Sequence, residues 1–100
     1  MDFERAREFM VESQVRTNDV TDPRILRAMR TVPRELFAPA PKRSLAYADF
    51  ELEAAPGRTL MRPRDVAKLI EALAPQADDR ALEIAGATGY GAALLAACCK

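Results

Sequence analysis

Apolar side chains near the N-terminus recur at the spacing of one helix face. We predict a helix from Phe3 to Val15, with acidic Asp2 and Glu4 near its positive end. The Asn18-Asp19 pair ends this helix. The apolar positions at this spacing are Phe3, Ala6, Phe9, Met10 and Val15.

A second amphipathic segment follows this break. Asp22 is typical of an N-cap, and Pro23 suits the first helical position, where its missing N–H costs nothing. We predict a helix from there to about Thr31, ended by Pro33 because the residue before a proline avoids the α conformation. Its inner face is Ile25, Leu26, Met29 and Val32, and Arg24, Arg27 and Arg30 form a basic stripe opposite.

Prolines divide the middle of the chain. From Ala38 to Gly57 we expect loops, with short extended pieces only near Phe50 to Leu52. Pro63 opens a further helix that ends at Pro75. The apolar positions predicted to line one side of that helix are Val66, Ala67, Leu69, Ile70 and Leu73.

The last quarter of the chain predicts a strand, a turn and a helix. Ala81 to Ile84 is the strand, Ala85 to Gly91 the small-residue turn, and the helix runs toward Lys100. The helix has no polar face, so we expect it to be buried all round. This indicates an α/β fold, but one strand makes no parallel sheet, and we expect a truncated chain. A compact helical domain with an incidental strand is the alternative.

Composition narrows the class of protein. The 100 residues hold 15 basic and 15 acidic side chains, no His, and 49% hydrophobic residues. This composition, with a mean hydropathy of -0.19, is ordinary for a cytoplasmic domain. It argues against the disordered and disulfide-scaffold classes of protein. The zero net charge argues against dedicated nucleic-acid or membrane-surface binding. No secretory signal precedes the first helix, and no stretch has the roughly 20 apolar residues that cross a bilayer.

The two cysteines and the missing histidines limit the chemistry. Cys98 and Cys99 are adjacent, so we expect them to pack as small hydrophobes in a reducing compartment. The usual four-ligand zinc sites and histidine triads cannot be built, and we predict no metal site.

The segment from Glu83 to Tyr90 is the clearest candidate for ligand binding. A strand, a turn of small residues and a helix start expose backbone N–H groups to a ligand. Glu83 can order the turn or meet a cationic ligand group. These residues alone leave nucleotide-type binding and simple strand-to-helix packing both open.

Several separated motifs, in order, carry a family resemblance. From about Met10 to the end, the chain resembles the protein-L-isoaspartate O-methyltransferase family, class I methyltransferases with a Rossmann-like sheet preceded by N-terminal helices. The matching residues are Met10-Val11 with Gln14, Asp22-Pro23-Arg24-Ile25-Leu26 with Ala28-Met29, Val32-Pro33-Arg34 with Phe37 and Pro39, Ala46-Tyr47-Ala48-Asp49, and the Glu83 to Tyr90 loop.

The resemblance implies an organisation and a reaction. Residues 1–75 would form a helical and loop region, and residues 76–100 would begin the Rossmann-like cofactor-binding domain. The implied reaction moves a methyl group from S-adenosylmethionine to a carboxylate on an isoaspartyl residue of a protein or peptide. From composition and charge we expect a cytoplasmic protein without metal, membrane or nucleic-acid partners. We expect this N-terminal fragment to be inactive alone.

The resemblance also implies site residues. Those for the cofactor are Glu83, Ala85, Gly86, Thr88, Gly89 and Tyr90, with Ala85 and Ala87 standing at two family glycine positions. The family's Thr-Ile-Ser run corresponds to Thr59-Leu60-Met61, so Thr59 and Met61 hold the catalytic positions although Met61 cannot hydrogen-bond a carboxylate as serine can. Arg62 and Arg64 are the candidates for binding the substrate anion.

Two other functions remain open. A non-catalytic relative would keep the fold as a binding or regulatory domain. A helical nucleic-acid module would use Arg24, Arg27, Arg30 and Arg34, although such a stripe is more often a solvated helix face.

Our first prediction concerns the isolated chain. In Rossmann-like folds an acid about 20 residues past the glycine turn binds the ribose hydroxyls, and counted from Glu83 it falls beyond Lys100. Calorimetric titration of the purified 100-residue chain should therefore detect no tight binding of S-adenosylmethionine. Micromolar affinity would contradict this.

Overall fold

The computed structural model describes residues 2–82 and 88–98. These ranges hold α-helices, a β-hairpin and short turns of tighter or wider helix. The α-helices are α1 (Phe3–Met10), α2 (Pro23–Thr31), α3 (Pro63–Leu73) and α4 (Tyr90–Cys98), and the strands are β1 (Leu52–Ala55) and β2 (Arg58–Leu60).

The N-terminal helix changes geometry along its length. The Asp2 carboxylate accepts a hydrogen bond from the Arg5 backbone N–H at 3.2 Å and caps α1. Helical structure continues as a wider π-turn over Val11–Val15 and a 3-10 turn over Arg16–Asn18. It ends where Asp19 adopts a φ of 68°. The helix predicted to Val15 is confirmed, with a change of hydrogen-bond pattern after α1 that the apolar spacing did not indicate.

Helix α2 begins and ends where its capping residues predict. The Asp22 carboxylate accepts from the Arg24 backbone N–H at 2.9 Å, and Pro23 is the first helical residue. Val32 is extended, as expected before a proline. The predicted inner residues Ile25, Leu26 and Met29 are buried, whereas Val32 is partly buried and packs on the core.

Helix α3 also begins at its predicted proline, but one prediction for its inner face is wrong. Ala67 and Ile70 are buried. Leu69 and Leu73 are 57% and 63% exposed. These two leucines are four residues apart and lie together on a side of the helix that the described core does not cover. The apolar stripe is wider than the surface against which α3 packs.

The middle of the chain holds more structure than the predicted loops. Two 3-10 helices occupy Arg34–Phe37 and Ala40–Leu45. Strands β1 and β2 then pair antiparallel, with Leu52 opposite Leu60. Gly57 in the connecting turn has a φ of 73°, a conformation that glycine adopts without strain. The prolines do not prevent the short helices, because a proline is tolerated in a first helical turn.

Helix α4 packs on α2 with one side only. Its buried residues are Tyr90, Leu94 and Cys98. The expectation that this helix is buried all round is therefore wrong, because the exposed side carries Ala92, Ala96 and Ala97. Cys98 packs as a small hydrophobic side chain, as predicted, while Cys99 lies outside the described residues.

The strand predicted over residues 81–84 is only partly covered by the described residues. Ala81 and Leu82 are exposed and belong to no strand, and Glu83 and Ile84 lie outside the described ranges. The described architecture is helical with a small two-stranded antiparallel sheet. No helix within the described ranges is both long and apolar enough to cross a membrane.

A buried polar cluster joins α1 to the segment between α2 and β1. Arg7 Nε donates to the Tyr47 hydroxyl at 2.9 Å, and its Nη2 lies 3.3 Å from Glu35 Oε1. The Tyr47 hydroxyl donates to the same Glu35 oxygen. Burial opposes ionisation of Glu35, but the hydrogen bonds from Tyr47, its own backbone and Arg7 prevail and lower the pKa of this carboxyl.

The next prediction concerns acid stability. Since the pKa of folded Glu35 lies below its ordinary value of 4.5, its stabilising contribution is present above that value and is lost as the pH falls through the folded pKa. Glu35→Gln should lower the free energy of unfolding at pH 7 by about 1–2 kcal/mol and weaken its dependence on acid pH. Urea unfolding from pH 7 to pH 3 measures both, with Glu51→Gln as the exposed control. An unchanged acid dependence in Glu35→Gln would refute this.

Candidate active site

The residues predicted to face the acceptor follow one another from β2 into α3. We call residues 59–64 the acceptor segment. Thr59 is exposed on β2 opposite Glu53, and Met61 is 40% exposed between the strand and the helix. Neither Thr59 nor Met61 makes a hydrogen bond through its side chain to another described residue. The catalytic positions implied by the resemblance are therefore exposed, one on β2 and one between β2 and α3.

The two arginines of the acceptor segment differ in their surroundings. Arg62 Nη2 and Nε lie 2.9 and 3.1 Å from Asp49 Oδ1. Arg64 is half-buried in the first turn of α3 and forms no ion pair with the described residues. The Arg62 pair is partly exposed, so an incoming anion can compete for it at small cost. Sequence reasoning had assigned no role to Asp49, which belongs to one of the family motifs. The only sequence signal for its ion pair with Arg62 is the opposite charge of the two side chains.

Arg34 lies in the interior and not on the basic surface. The prediction that Arg34 belongs to a basic stripe with the arginines of α2 is wrong, because Arg34 has no exposed surface. Pro33 ends the helix, so the chain turns inward and carries Arg34 away from the α2 face. Pro33 already indicated in the sequence that the helix ends before Arg34, but the hypothesis of a basic stripe did not take this into account.

The guanidinium of Arg34 contacts three separate parts of the chain. Its Nε donates to the Ala46 carbonyl at 2.5 Å and its Nη2 to the Met61 carbonyl at 2.8 Å. Its Cζ lies 4.8 Å from the centroid of the Tyr90 ring, which is a cation–π contact. Nη1 is buried and has no hydrogen-bond partner in the part of the chain that the structure describes. One side chain thus links the acceptor segment to the start of α4.

The rest of the basic stripe is largely paired. Arg24 contacts the Asp22 carboxylate at 3.0 Å and donates to the Pro75 carbonyl at 2.6 Å. Arg30 lies 3.3 Å from Glu8 and 2.8 Å from Glu12. Arg27 is exposed. With neighbouring carboxylates along this face, the stripe is a mixed surface, which weakens the nucleic-acid hypothesis.

The residues predicted to bind the cofactor are partly described. Glu83, Ala85 and Gly86 lie outside the described residues, while Thr88, Gly89 and Tyr90 lead into α4. We call residues 83–90 the turn segment. The Thr88 hydroxyl oxygen is buried and has no hydrogen-bond partner among the described residues, and Gly89 has a φ of 89°. The first N–H groups of α4 have no acceptor within the helix, as at any helix start.

Tyr90 has its ring in the core. Its hydroxyl lies 3.7 Å from the sulfur of Met29, and its ring centroid is 5.7 Å from that of Phe37. Burial raises the pKa of Tyr90 to about 12, against a smaller opposing effect of Arg34. The aromatic ring of Tyr90 therefore contacts protein, and its backbone continues the chain from Gly89 into α4.

Burial also acts on Arg34. Desolvation lowers its pKa, and the neighbouring tyrosines oppose that change. The guanidinium of arginine is not deprotonated in proteins, so Arg34 keeps its proton at neutral pH. Within the described ranges no cluster of acidic, Cys or His side chains has the composition of a metal site.

Comparison with known proteins supplies the family. The sequence model of the protein-L-isoaspartate(D-aspartate) O-methyltransferase family matches residues 5–100. This chain belongs to that family. The resemblance inferred from the separated motifs is thereby confirmed, and the chain is a member of a methyltransferase family.

Individual relatives agree with the family match. The chain is 49% identical over 86 residues to a protein-L-isoaspartate O-methyltransferase of Rhodopseudomonas palustris, covering 86% of this chain and 39% of the relative. It is 45% identical over 92 residues to one of Methanospirillum hungatei, covering 92% and 43%. It is also 45% identical over 101 residues to one of Opitutus terrae, covering 97% and 43%. The chain spans about two fifths of the length of these curated relatives.

The buried state of Tyr90 generates a prediction for this methyltransferase-family chain. Because the pKa of Tyr90 is raised, neutral Tyr90 contributes stability that is complete below pH 10 and is lost as the pH rises toward about 12. An ultraviolet titration of tyrosinate should show one group that ionises near pH 12 or together with alkaline unfolding. Tyr90→Phe should remove that step and Tyr47→Phe should retain it. Ionisation of Tyr90 near pH 10 would disprove this assignment.

Proposed function

We propose that this chain forms the N-terminal part of a protein-L-isoaspartate O-methyltransferase. The reaction moves a methyl group from S-adenosylmethionine to the carboxylate of an isoaspartyl residue in a damaged protein or peptide. The methyl–sulfur bond breaks as the methyl–oxygen bond forms, and the electron pair of the broken bond stays on sulfur. Residues 76–100 would begin a Rossmann-like cofactor-binding domain, in contact with residues 1–75 through α4 and α2.

One observation carries the proposal. Arg34 contacts the carbonyl of Met61 and the ring of Tyr90, so the acceptor segment and the first residue of α4 meet at the same guanidinium. A transferase must hold its two reactants at a fixed separation, because most of its rate enhancement comes from positioning. Because the chain belongs to a methyltransferase family, we interpret the two parts that meet at Arg34 as those that hold the acceptor and the methyl donor.

The described end of the turn segment fits a cofactor with polar groups. Within residues 2–82 and 88–98, Thr88 offers a buried hydroxyl without a hydrogen-bond partner. The positive φ of Gly89 holds the backbone in a conformation that most side chains would strain. The first N–H groups of α4, which have no acceptor within the helix, are further donors. S-adenosylmethionine, when bound, supplies a methyl group on a positively charged sulfur. Thr88 and the amides after it would hold that ligand, together with Glu83, Ala85 and Gly86.

The acceptor carboxylate requires little proton chemistry. A carboxyl with a pKa near 4 is ionised at neutral pH, so no strong base has to remove a proton. Met61 provides no hydrogen-bond donor at the position of the family serine. Arg64, and Arg62 when it exchanges Asp49 for substrate, would provide the positive charge that orients the anion. Thr59 would add a neighbouring hydroxyl on the exposed edge.

No observation favours the non-catalytic alternative, and activity separates it from the proposal. The cytoplasmic location expected from composition stays a prediction, as do the expected absences of metal, membrane and nucleic-acid partners.

The function is tested in a fusion that replaces the matching 86-residue segment of the Rhodopseudomonas palustris relative with this chain. Radiolabelled methyl transfer should occur to an isoaspartyl peptide and not to the same peptide with ordinary aspartate. Met61→Ser should raise kcat/KM for the peptide by about ten-fold, because it adds a hydrogen-bond donor to a charged acceptor.

The control is the unmodified relative assayed in parallel. A fusion that is folded and binds S-adenosylmethionine but transfers no methyl group would refute the catalytic proposal. That result would support a non-catalytic domain.

A further inference from the structure

We propose that Arg34 is a positioning residue that fixes the acceptor segment relative to the start of α4. The inference rests on the proposed function and assigns a role to a residue outside the predicted catalytic, substrate-binding and cofactor-binding positions. Arg34 acts through Met61, whose carbonyl it binds, and through Tyr90, whose ring it covers.

The contacts of Arg34 come from parts of the chain that are distant in sequence. Ala46 is the C-cap of the second 3-10 helix, Met61 lies in the acceptor segment, and Tyr90 opens α4. Both carbonyl contacts are charge-assisted hydrogen bonds, which are shorter and stronger than neutral ones. The planar guanidinium therefore fixes the positions of Ala46, Met61 and Tyr90 relative to one another.

The cost of burying this cation indicates a role beyond stability. No carboxylate among the described residues forms an ion pair with Arg34, and its Nη1 has no partner. A buried charge held only by dipoles is expensive, and well-packed apolar side chains of similar volume often give equal or greater stability. Arg34 provides instead a rigid link that an apolar side chain cannot make.

The substitution Arg34→Lys tests whether the charge alone is sufficient or the planar shape of the guanidinium is required. A lysine ammonium is a compact point charge on a flexible stem and lacks the fork that reaches two carbonyls in one plane. Arg34→Lys keeps a cation near the Tyr90 ring but cannot hold the Ala46 and Met61 carbonyls together in this geometry. The substitution should therefore loosen the acceptor segment selectively.

The first measurement uses the 100-residue chain without ligands. Hydrogen exchange followed by mass spectrometry compares the unaltered chain, Arg34→Lys, and Arg27→Lys as the exposed control. We expect Arg34→Lys to accelerate exchange in a peptide covering residues 58–62 by about ten-fold, with peptides from α1 unchanged. Equal acceleration in every peptide, or none in residues 58–62, would overturn the proposal.

The second measurement uses the fusion described above, once the unaltered fusion has shown activity. Arg34→Lys should raise KM for the isoaspartyl peptide or lower kcat by on the order of ten-fold, while the Kd for S-adenosylmethionine stays within about two-fold. Arg27→Lys should change neither. An inactive unaltered fusion counts against the proposed function, whereas an active fusion indifferent to Arg34→Lys counts against the positioning role.

If Arg34→Lys fails to fold, Arg34→Met keeps the inference testable. Methionine fills similar volume without charge, so it should restore a cooperative unfolding transition. A folded Arg34→Met with normal exchange at residues 58–62 would contradict the positioning role.

Discussion

A guanidinium that water cannot reach must find its hydrogen-bond acceptors inside the protein, and this requirement shapes the centre of the molecule. Arg34 binds the carbonyls of Ala46 and Met61 and lies against Tyr90. Each contact would be replaced by an unsatisfied polar group if its segment moved, so the segments are held in mutual register. The hairpin, the 3-10 helices and α4 therefore depend on one another through a single side chain.

A second set of buried polar contacts attaches the N-terminal helix to the same region. Gln14, in the π-turn that follows α1, donates from Nε2 to the Tyr47 carbonyl at 2.7 Å. Arg34 binds the neighbouring carbonyl of Ala46. Wide π-turns inside helices often occur at functional sites, and here the turn carries a buried amide. The hydrogen-bonded cluster of Arg7, Glu35 and Tyr47 extends these buried polar contacts to α1.

Local signals predicted much of the helical structure. Asp22 with Pro23 defined the start of α2, and Pro63 defined that of α3, because capping and proline chemistry act over a few residues. Features that depend on tertiary packing were harder to predict from the sequence. Leu69 fits the apolar period of α3 and is nevertheless exposed, since periodicity states which side is apolar but not how much of it is covered.

The same limit applies to the candidate site. Separated motifs identified the family, and the acceptor and turn segments followed from the positions that match it. The role of Arg34 was not predictable from charge pattern, because an arginine counted as surface becomes interior once a proline redirects the chain. The pairing of Arg62 with Asp49 also depends on how the hairpin folds back, over a separation that local spacing does not encode.

The central claim, that a buried guanidinium connects the acceptor segment to α4, is tested most directly by nuclear magnetic resonance on the isotope-labelled chain. The Nε–H of Arg34 should exchange with solvent far more slowly than that of Arg27 and should show a nuclear Overhauser contact to the Tyr90 ring. Exchange as fast as that of Arg27, with no contact to Tyr90, would contradict the account.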